Sequence, residues 1–177
     1  DTACVFTSTL VDRIGTGYPA DEAEQLCEEF GYQDQLIVTG EPFALWVIES
    51  PRDISGELPL KEAGLPVIFT DNQKPYKQRK VRILNGAHTS FVLASYLCGH
   101  DTVLESMEDP LICSFVKKTI YDEVIPTLTL PKEDLAEFAE AVITRFFNPY
   151  VKHALLSISL NSVSKWRARC MPSFLSY

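Results

Sequence analysis

The residues best suited to catalysis lie in one short segment near the middle of the chain. It places a lysine, an amide and an imidazole, Lys80, Asn85 and His88, in the sequence Lys-Val-Arg-Ile-Leu-Asn-Gly-Ala-His. Around one carbonyl group, these side chains would supply a proton-transfer group and hydrogen-bond donors. On an α-helix, at about 100° per residue, Asn85 lies roughly 140° and His88 roughly 80° from Lys80, so all three can border one cleft.

A structural interpretation of the same segment is also open. A solvated lysine, an asparagine on a helix surface and a histidine satisfied within a core would fit the same spacing. Lys80 and His88 would lie about 12 Å apart along the axis, at ~1.5 Å per residue, so the lysine would have to curl back over the cleft. The spacing alone does not decide between catalysis and packing.

A second row of polar residues occurs towards the C-terminal end, where His153, Ser157, Asn161 and Lys165 follow at intervals of four. On one helix they would share a face, which would be either a binding surface or a solvated or inter-helix face. Basic residues near the two segments could bind a carboxylate or phosphate, although a plain surface role is open for many of them. These basic residues are Lys77, Arg79, Lys80, Arg82, Lys165, Arg167 and Arg169.

Charge is unevenly distributed along the chain. The 177 residues carry 16 basic and 24 acidic side chains, for a net charge of −8, which disfavours nucleic-acid binding as the main activity. Segment 1–75 holds 4 of the basic and 14 of the acidic groups. The second half is therefore slightly positive and could hold an anion.

Other features narrow the class of protein further. No apolar run approaches the roughly 20 residues that a membrane-spanning helix needs, so we expect no membrane partner. Five widely spaced cysteines form no CxxC pair. We therefore predict buried, reduced thiols in a cytoplasmic protein and no metal site.

The pattern of segment 1–75 predicts α/β structure with a mostly buried sheet. A short apolar stretch, residues 3–6, leads through residues 9–11 to Asp12. A helix is predicted after Pro19 and ends at Gly31. The apolar runs 36–38, 43–48 and 64–69 are typical of buried strands, and a short helix is predicted over 58–63.

From about residue 76 the pattern predicts mainly helices. The boundary between the two parts is placed in the polar turn 72–77, which gives segments 1–75 and 76–177. Start and stop signals predict helices over 79–97, from a cap at Asp101, over 110–125, over 131–147, and from a cap at 148–149 to about 170.

Residues 15–20, Gly-Thr-Gly-Tyr-Pro-Ala, match the pattern G-x-G-x-x-A of dinucleotide-binding turns, with an acidic residue, Glu41, further along the chain. That fingerprint requires a long buried strand before the turn and backbone amides close to the pyrophosphate. Here Asp12 and Arg13 precede the turn, and Pro19 removes one amide. We predict a simple glycine turn before a helix.

Four segments, in this order and spacing, carry a resemblance to a known family. They are Thr-Leu-Val-Asp-Arg-Ile at 9–14, Lys-x4-Asn-x2-His at 80–88, Arg-Phe-Phe-Asn-Pro-Tyr-Val-Lys-His at 145–153, and Asn-Ser-Val-Ser-Lys at 161–165. Together they resemble the mannitol dehydrogenase family of long-chain, metal-independent polyol and hexuronate dehydrogenases. Within it, Ile-Leu-Asn-Gly-Ala-His-Thr and the ending Asn-Ser-x-Ser-Lys-x-x-x-Arg are most similar to the tagaturonate reductase branch.

The resemblance implies reversible, NAD-dependent reduction of a keto-uronate, a small sugar acid, to its hydroxy acid. Lys80 would be the general acid and base, Asn85 would donate to the developing alkoxide, and His88 would hold the same oxygen or its neighbour. Asp12 would lie near Lys80 and assist proton movement, and Lys165 would bind substrate. These roles are chemically coherent, since hydride arriving at a carbonyl carbon leaves negative charge on the oxygen.

Three further residues, Arg82, His153 and Asn161, are expected to bind or support the substrate.

The family has a glycine-rich Rossmann unit upstream, whereas this chain begins at Asp1, without a methionine and only a short stretch before Asp12. We therefore expect a middle-to-C-terminal fragment, inactive or nearly so alone. Segment 1–75 would end the Rossmann-type NAD domain and 76–177 would be a truncated, mainly helical catalytic domain.

Two alternatives to this function stay open. The substrate could be a neutral polyol or fructuronate, as in the mannitol and fructuronate branches of the same family. The chain could also be a helical interaction module without catalysis.

Overall fold

The strands of this protein occupy the first part of the chain. The structure, a computed structural model, describes residues 4–177, so the start of the apolar stretch predicted over 3–6 lies outside the described residues. The strands are β1 (Ser8–Asp12), β2 (Gly15–Gly17), β3 (Thr39–Gly40), β4 (Leu45–Glu49) and β5 (Val67–Thr70). β4 lies at the centre of a three-stranded sheet, antiparallel to β1 and parallel to β5, and β2 pairs with β3.

The sheet is smaller and more exposed than the sequence predicted. Leu36 and Val38 are exposed, so the buried strand predicted over 36–38 is wrong. The chain turns there because the side chain of Asp34 accepts a hydrogen bond from the Leu36 amide. The helix predicted over 58–63 is also wrong, since these residues form turns that end at Gly64 with φ 78°.

Helices make up most of the chain after residue 73. The α-helices are α1 (Ala23–Phe30), α2 (Lys74–Arg79), α3 (Gly86–Leu97), α4 (Val103–Glu108), α5 (Pro110–Lys118), α6 (Lys132–Phe146), α7 (Leu155–Ser159), α8 (Ser162–Arg169) and α9 (Met171–Phe174). Two π-helical segments, π1 (Lys80–Asn85) and π2 (Thr119–Val124), and a 3₁₀ turn (Ile125–Thr127) extend them. Mainly helical structure over this part agrees with the sequence prediction.

Several helix ends follow the predicted signals. Gly31 closes α1 in a left-handed conformation, and Asp109 caps α5 by accepting hydrogen bonds from the amides of residues 111 and 112. The cap of α4 is shifted by one residue from Asp101, because Thr102 and Glu105 form a capping box.

The single C-terminal helix predicted from residue 148 to about 170 is wrong. Residues 148–154 are not helical, because Ala154 bridges to Thr102 and the carbonyl of His153 accepts a hydrogen bond from the Val103 amide. A second break occurs at Asn161, whose φ is 59°. Three short helices, α7 to α9, therefore replace one long helix.

The main hydrophobic core lies among the helices. It joins buried side chains of π1, α3, α5, α6 and α7, among them Ile83, Phe91, Val116, Val142 and Leu155, each fully buried. A small second cluster covers the sheet around Ile48. The main core therefore packs the helix that carries the candidate catalytic residues on several sides.

A buried arginine connects the strands to this helical core. The Arg145 guanidinium, from the last turn of α6, forms two-pronged ion pairs with Asp12 at the end of β1 and with Glu41 after β3, at nitrogen–oxygen distances of 2.7–3.2 Å. Asp12 and Glu41 are 1% and 2% exposed. Their ion pairs raise the pKa of Arg145 against the opposing effect of burial. The Arg145–Asp12–Glu41 cluster thus fixes β1 and the end of β3 against α6.

Replacing Arg145 with Met tests this connection. The substitution leaves two buried carboxylates without a counter-charge, so we expect the free energy of unfolding to fall by about 3–5 kcal/mol. Urea titration followed by circular dichroism measures this free energy of unfolding. Arg52→Met is the matched control, because the Arg52–Glu57 pair is exposed and its loss should cost less than about 1 kcal/mol. Equal effects of the two substitutions would contradict a connecting role for Arg145.

Candidate functional site

A π-helical segment brings the predicted lysine and asparagine onto neighbouring positions. Lys80 and Asn85 are the first and last residues of π1, and the Gly86 amide donates to the Val81 carbonyl, five residues back. In this wider coil, residues five apart stack more nearly above one another than they would in an α-helix. Such single-turn π segments are frequent at functional sites.

Close packing against the C-terminal helices holds this segment in place. A Cβ atom at Gly86 would lie 3.3 Å from the Arg169 carbonyl oxygen, and the Cys170 thiol contacts the Gly86 carbonyl at 3.5 Å. A contact at this distance is tighter than most real Cβ contacts, so glycine lets the two backbones approach this closely without displacing either. The end of α8 therefore lies directly against the start of α3.

His88 is buried and has an unused hydrogen-bonding atom. It is 3% exposed, its ring lies 4.3 Å from the Phe146 ring and 5.0 Å edge-on from the His153 ring, and its Nε2 has no hydrogen-bond partner in the described part of the chain. Burial first, and then positive charge on surrounding groups that include Arg145, Arg169 and Lys80, holds the pKa of His88 well below its usual value. The lowered pKa favours the neutral imidazole, whose Nε2 is buried without a hydrogen-bond partner among the described residues.

Lys80 and Asn85 are half-buried, so a ligand can reach their side chains. The Lys80 ammonium makes no hydrogen bond or ion pair with any described residue. The preceding side chain, Arg79, lies over the Phe138 ring at 4.4 Å, and burial lowers its pKa. A cation, an amide and a neutral imidazole thus lie along one stretch of helix, as the sequence predicted.

Two predicted supporting residues are engaged elsewhere. The carboxylate of Asp12 is ion-paired with the Arg145 guanidinium. Arg82 donates to the carbonyl and hydroxyl oxygens of Thr127 at 3.3 and 3.2 Å, and burial lowers its pKa. In the structure, both residues hold elements together.

The row predicted from residue 153 to 165 does not share one helix face, because the helix is broken. His153 precedes α7 and contacts His88, and burial lowers its pKa while the charge of Glu41 opposes that shift. Asn161 is exposed at the start of α8, and the Lys165 ammonium donates to the Ile158 carbonyl at 2.7 Å. Within the described residues, His153 is the member of this row whose ring contacts the ring of a catalytic candidate, His88.

Glu41 and Arg145 also border a cavity of about 840 Å³ between the β3–β4 region and the end of α6. Sequence reasoning cited both residues in motifs but gave neither a role. Their pairing spans 104 residues of sequence, so no local signal could have revealed it. Lys80, Asn85 and His88 do not line this cavity.

No built-in cofactor or metal site is apparent in the described part of the chain. Gly15–Gly17 forms a strand paired with β3, and α1 begins only at Ala23, so a strand replaces the simple glycine turn that was predicted directly before a helix. Residues 4–177 include no group of three or more His, Cys, Asp or Glu side chains placed to hold a metal ion. None of the helices in residues 4–177 has both the length and the apolar sequence that a membrane span requires.

Curated relatives match almost the whole chain. Altronate oxidoreductases of Shigella flexneri and of Escherichia coli O1:K1 are each 53% identical to it over 176 residues, which is 99% of this chain and 36% of the relative. The chain thus spans about a third of the length of these proteins.

Solved structures of polyol dehydrogenases have a similar fold. Mannitol 2-dehydrogenase of Pseudomonas fluorescens, in a ternary complex with NAD and D-mannitol, is 29% identical, with a TM-score of 0.78 over 97% of this chain and 34% of that one. Substrate-free D-sorbitol dehydrogenase is 29% identical, with a TM-score of 0.84 over 96% of this chain and 34% of that one. The sequence model of the family named mannitol dehydrogenase C-terminal domain matches residues 72–176. Because this match covers more than half of the chain, the chain belongs to the mannitol dehydrogenase family.

Proposed function

We propose that the protein containing this chain interconverts tagaturonate and altronate, with NAD as the hydride carrier. The unpaired Nε2 of the buried His88 is the observation that carries the proposal, because a buried polar atom without a partner is unfavourable unless a ligand satisfies it. The 53% identity to altronate oxidoreductases supports the choice of reaction.

In the proposed reaction, this chain provides the proton chemistry. During oxidation, the Lys80 amine accepts the proton of the reacting hydroxyl group, and during reduction its ammonium returns a proton to the oxygen. The Asn85 amide donates a hydrogen bond to the same oxygen and stabilises charge that develops there. Prepositioned donors of this kind are the main source of electrostatic rate enhancement.

A neutral His88 suits this role. Its Nε2 can donate one hydrogen bond to the substrate oxygen without adding a second titrating charge next to Lys80. Burial and the nearby cations keep the imidazole neutral at the pH of the cell. We infer that His88 orients the substrate while Lys80 alone changes protonation.

NAD, when bound, supplies or accepts the hydride. The donor set around Lys80 fits the alcohol side of that chemistry, but the described residues hold no phosphate-binding turn, so we assign them no contact with the cofactor. We infer that residues 1–75 end the Rossmann-type cofactor domain and that residues 76–177 belong to the catalytic domain. We also propose a cytoplasmic enzyme whose partner is a small sugar acid.

A neutral polyol is the rival substrate, favoured by the mannitol and sorbitol dehydrogenases among the structural neighbours. Their identity to this chain is 29%, against 53% for the altronate oxidoreductases. We therefore favour the acidic substrate.

Lys80→Ala in the full-length protein tests the catalytic role. Removing a general acid and base should lower kcat by about 10²- to 10⁴-fold, measured as NADH oxidation with tagaturonate. The control is Lys77→Ala, an exposed lysine in the preceding α2, which should leave kcat unchanged. Unchanged turnover in a folded Lys80→Ala variant would make the lysine, amide and imidazole a structural feature only.

The neutral state of His88 predicts a loss of stability in acid. Because its pKa is lowered in the folded chain, the unfolded chain binds a proton first as the pH falls below about 6.5. The free energy of unfolding should then fall by up to about 1.4 kcal/mol per pH unit for this proton. Urea titrations between pH 7.5 and 5 should give a smaller slope for His88→Asn. A slope equal to that of the wild type would show that His88 is protonated in the folded state.

The substrate choice is tested by steady-state kinetics on the full-length enzyme. A charge-assisted contact to the acid group should make kcat/KM at least about tenfold higher for tagaturonate than for fructose. A clear preference for fructose would instead place the enzyme with the polyol dehydrogenases.

A further inference from the structure

A second cation near the candidate catalytic residues has no acidic partner. The Arg169 guanidinium donates to the Thr89 hydroxyl at 3.3 Å, and it forms no ion pair with any described residue. It is half-buried, and burial lowers its pKa. A partly desolvated guanidinium without a carboxylate is a ready binding partner for an anionic ligand.

The position of Arg169 places it beside the proposed reaction centre. Thr89 follows His88 directly, lies one turn after Asn85, and donates its hydroxyl hydrogen to the Asn85 carbonyl at 2.9 Å. The charge of Arg169 also contributes to the lowered pKa of His88. The guanidinium therefore lies on the side of α3 next to the catalytic candidates.

The backbone of Arg169 is held in place by packing against the start of α3. Its carbonyl packs against Gly86, and the following Cys170 thiol contacts the Gly86 carbonyl. Arg169 also borders a cavity of about 250 Å³ together with Arg82, Ser90 and Glu123. Glu123 lies on this rim without pairing with Arg169, so the positive charge is available to a ligand.

We propose that Arg169 binds the carboxylate of the substrate and selects sugar acids over neutral sugars. This inference rests on the proposed function, since tagaturonate carries its carboxylate at the opposite end of the carbon chain from the reacting ketone. Lys80, Asn85 and His88 hold the reacting oxygen, and Arg169, which reaches α3 at Thr89, holds the acid group. The planar guanidinium suits a two-pronged contact that a lysine reproduces only in part.

Kinetics of the full-length enzyme with two substrates test the assignment. The substrates are tagaturonate and the matched neutral ketose, in which a hydroxymethyl group replaces the carboxylate. Arg169→Gln should raise KM for tagaturonate about 10- to 100-fold, with a smaller change in kcat and little change for the neutral ketose. Arg169→Lys should recover part of the affinity. Arg167→Gln, an exposed arginine two residues away on the same helix, should behave as the wild type.

Thermal stabilisation by altronate and by the matched neutral polyol provides a readout that does not need turnover. The Arg169→Gln variant should lose the shift caused by altronate and keep any shift caused by the polyol. An unaltered KM and thermal shift, or equal losses with acid and neutral ligands, would overturn the role of Arg169 while leaving the proposed reaction intact. If the wild-type enzyme did not turn over tagaturonate, the proposed function itself would be overturned.

Discussion

The ion pairs of Arg145 determine how the strands and helices of this chain meet. A guanidinium and two carboxylates buried together lose much of their hydration, and only close, multiple hydrogen bonds offset that cost. Here four N–H groups of Arg145 contact Asp12 and Glu41, and Glu41 also accepts a hydrogen bond from the Ile14 amide at 2.6 Å. These requirements fix β1, the residue after β3 and the end of α6 in one relative position.

The candidate site depends on this arrangement. Phe146 follows Arg145 directly and supplies the aromatic wall of His88, with the rings 4.3 Å apart. His153 touches the same histidine, and the charge of Glu41 acts on His153. A continuous series of neighbouring polar and aromatic groups therefore runs from Asp12 through Arg145 and Phe146 to His88. A displacement of Arg145 would change both the packing and the electrostatic surroundings of His88.

Local signals explain how much of the fold and of the site the sequence could predict. Gly31 and Asp109 mark helix ends through their own chemistry, whereas the break at residues 148–154 depends on distant pairing with Thr102. The residue types at 80, 85 and 88 predicted the candidate site segment, but the spacing of an α-helix does not apply within π1. Asp12 pairs with Arg145, and the Lys165 ammonium donates to the Ile158 carbonyl; the residue spacing gave no signal for either contact.

The cations around His88 have different functions because their partners differ. Two carboxylates neutralise Arg145, so its charge acts mainly on structure and contributes little attraction to an incoming anion. Lys80 and Arg169 have no such partners among the described residues. All three disfavour protonation of His88, but only the latter two remain able to attract negative charge on a ligand. In the proposed reaction, the charges of Lys80 and Arg169 that help to keep the imidazole neutral would also stabilise an oxyanion at one end of a sugar acid and a carboxylate at the other.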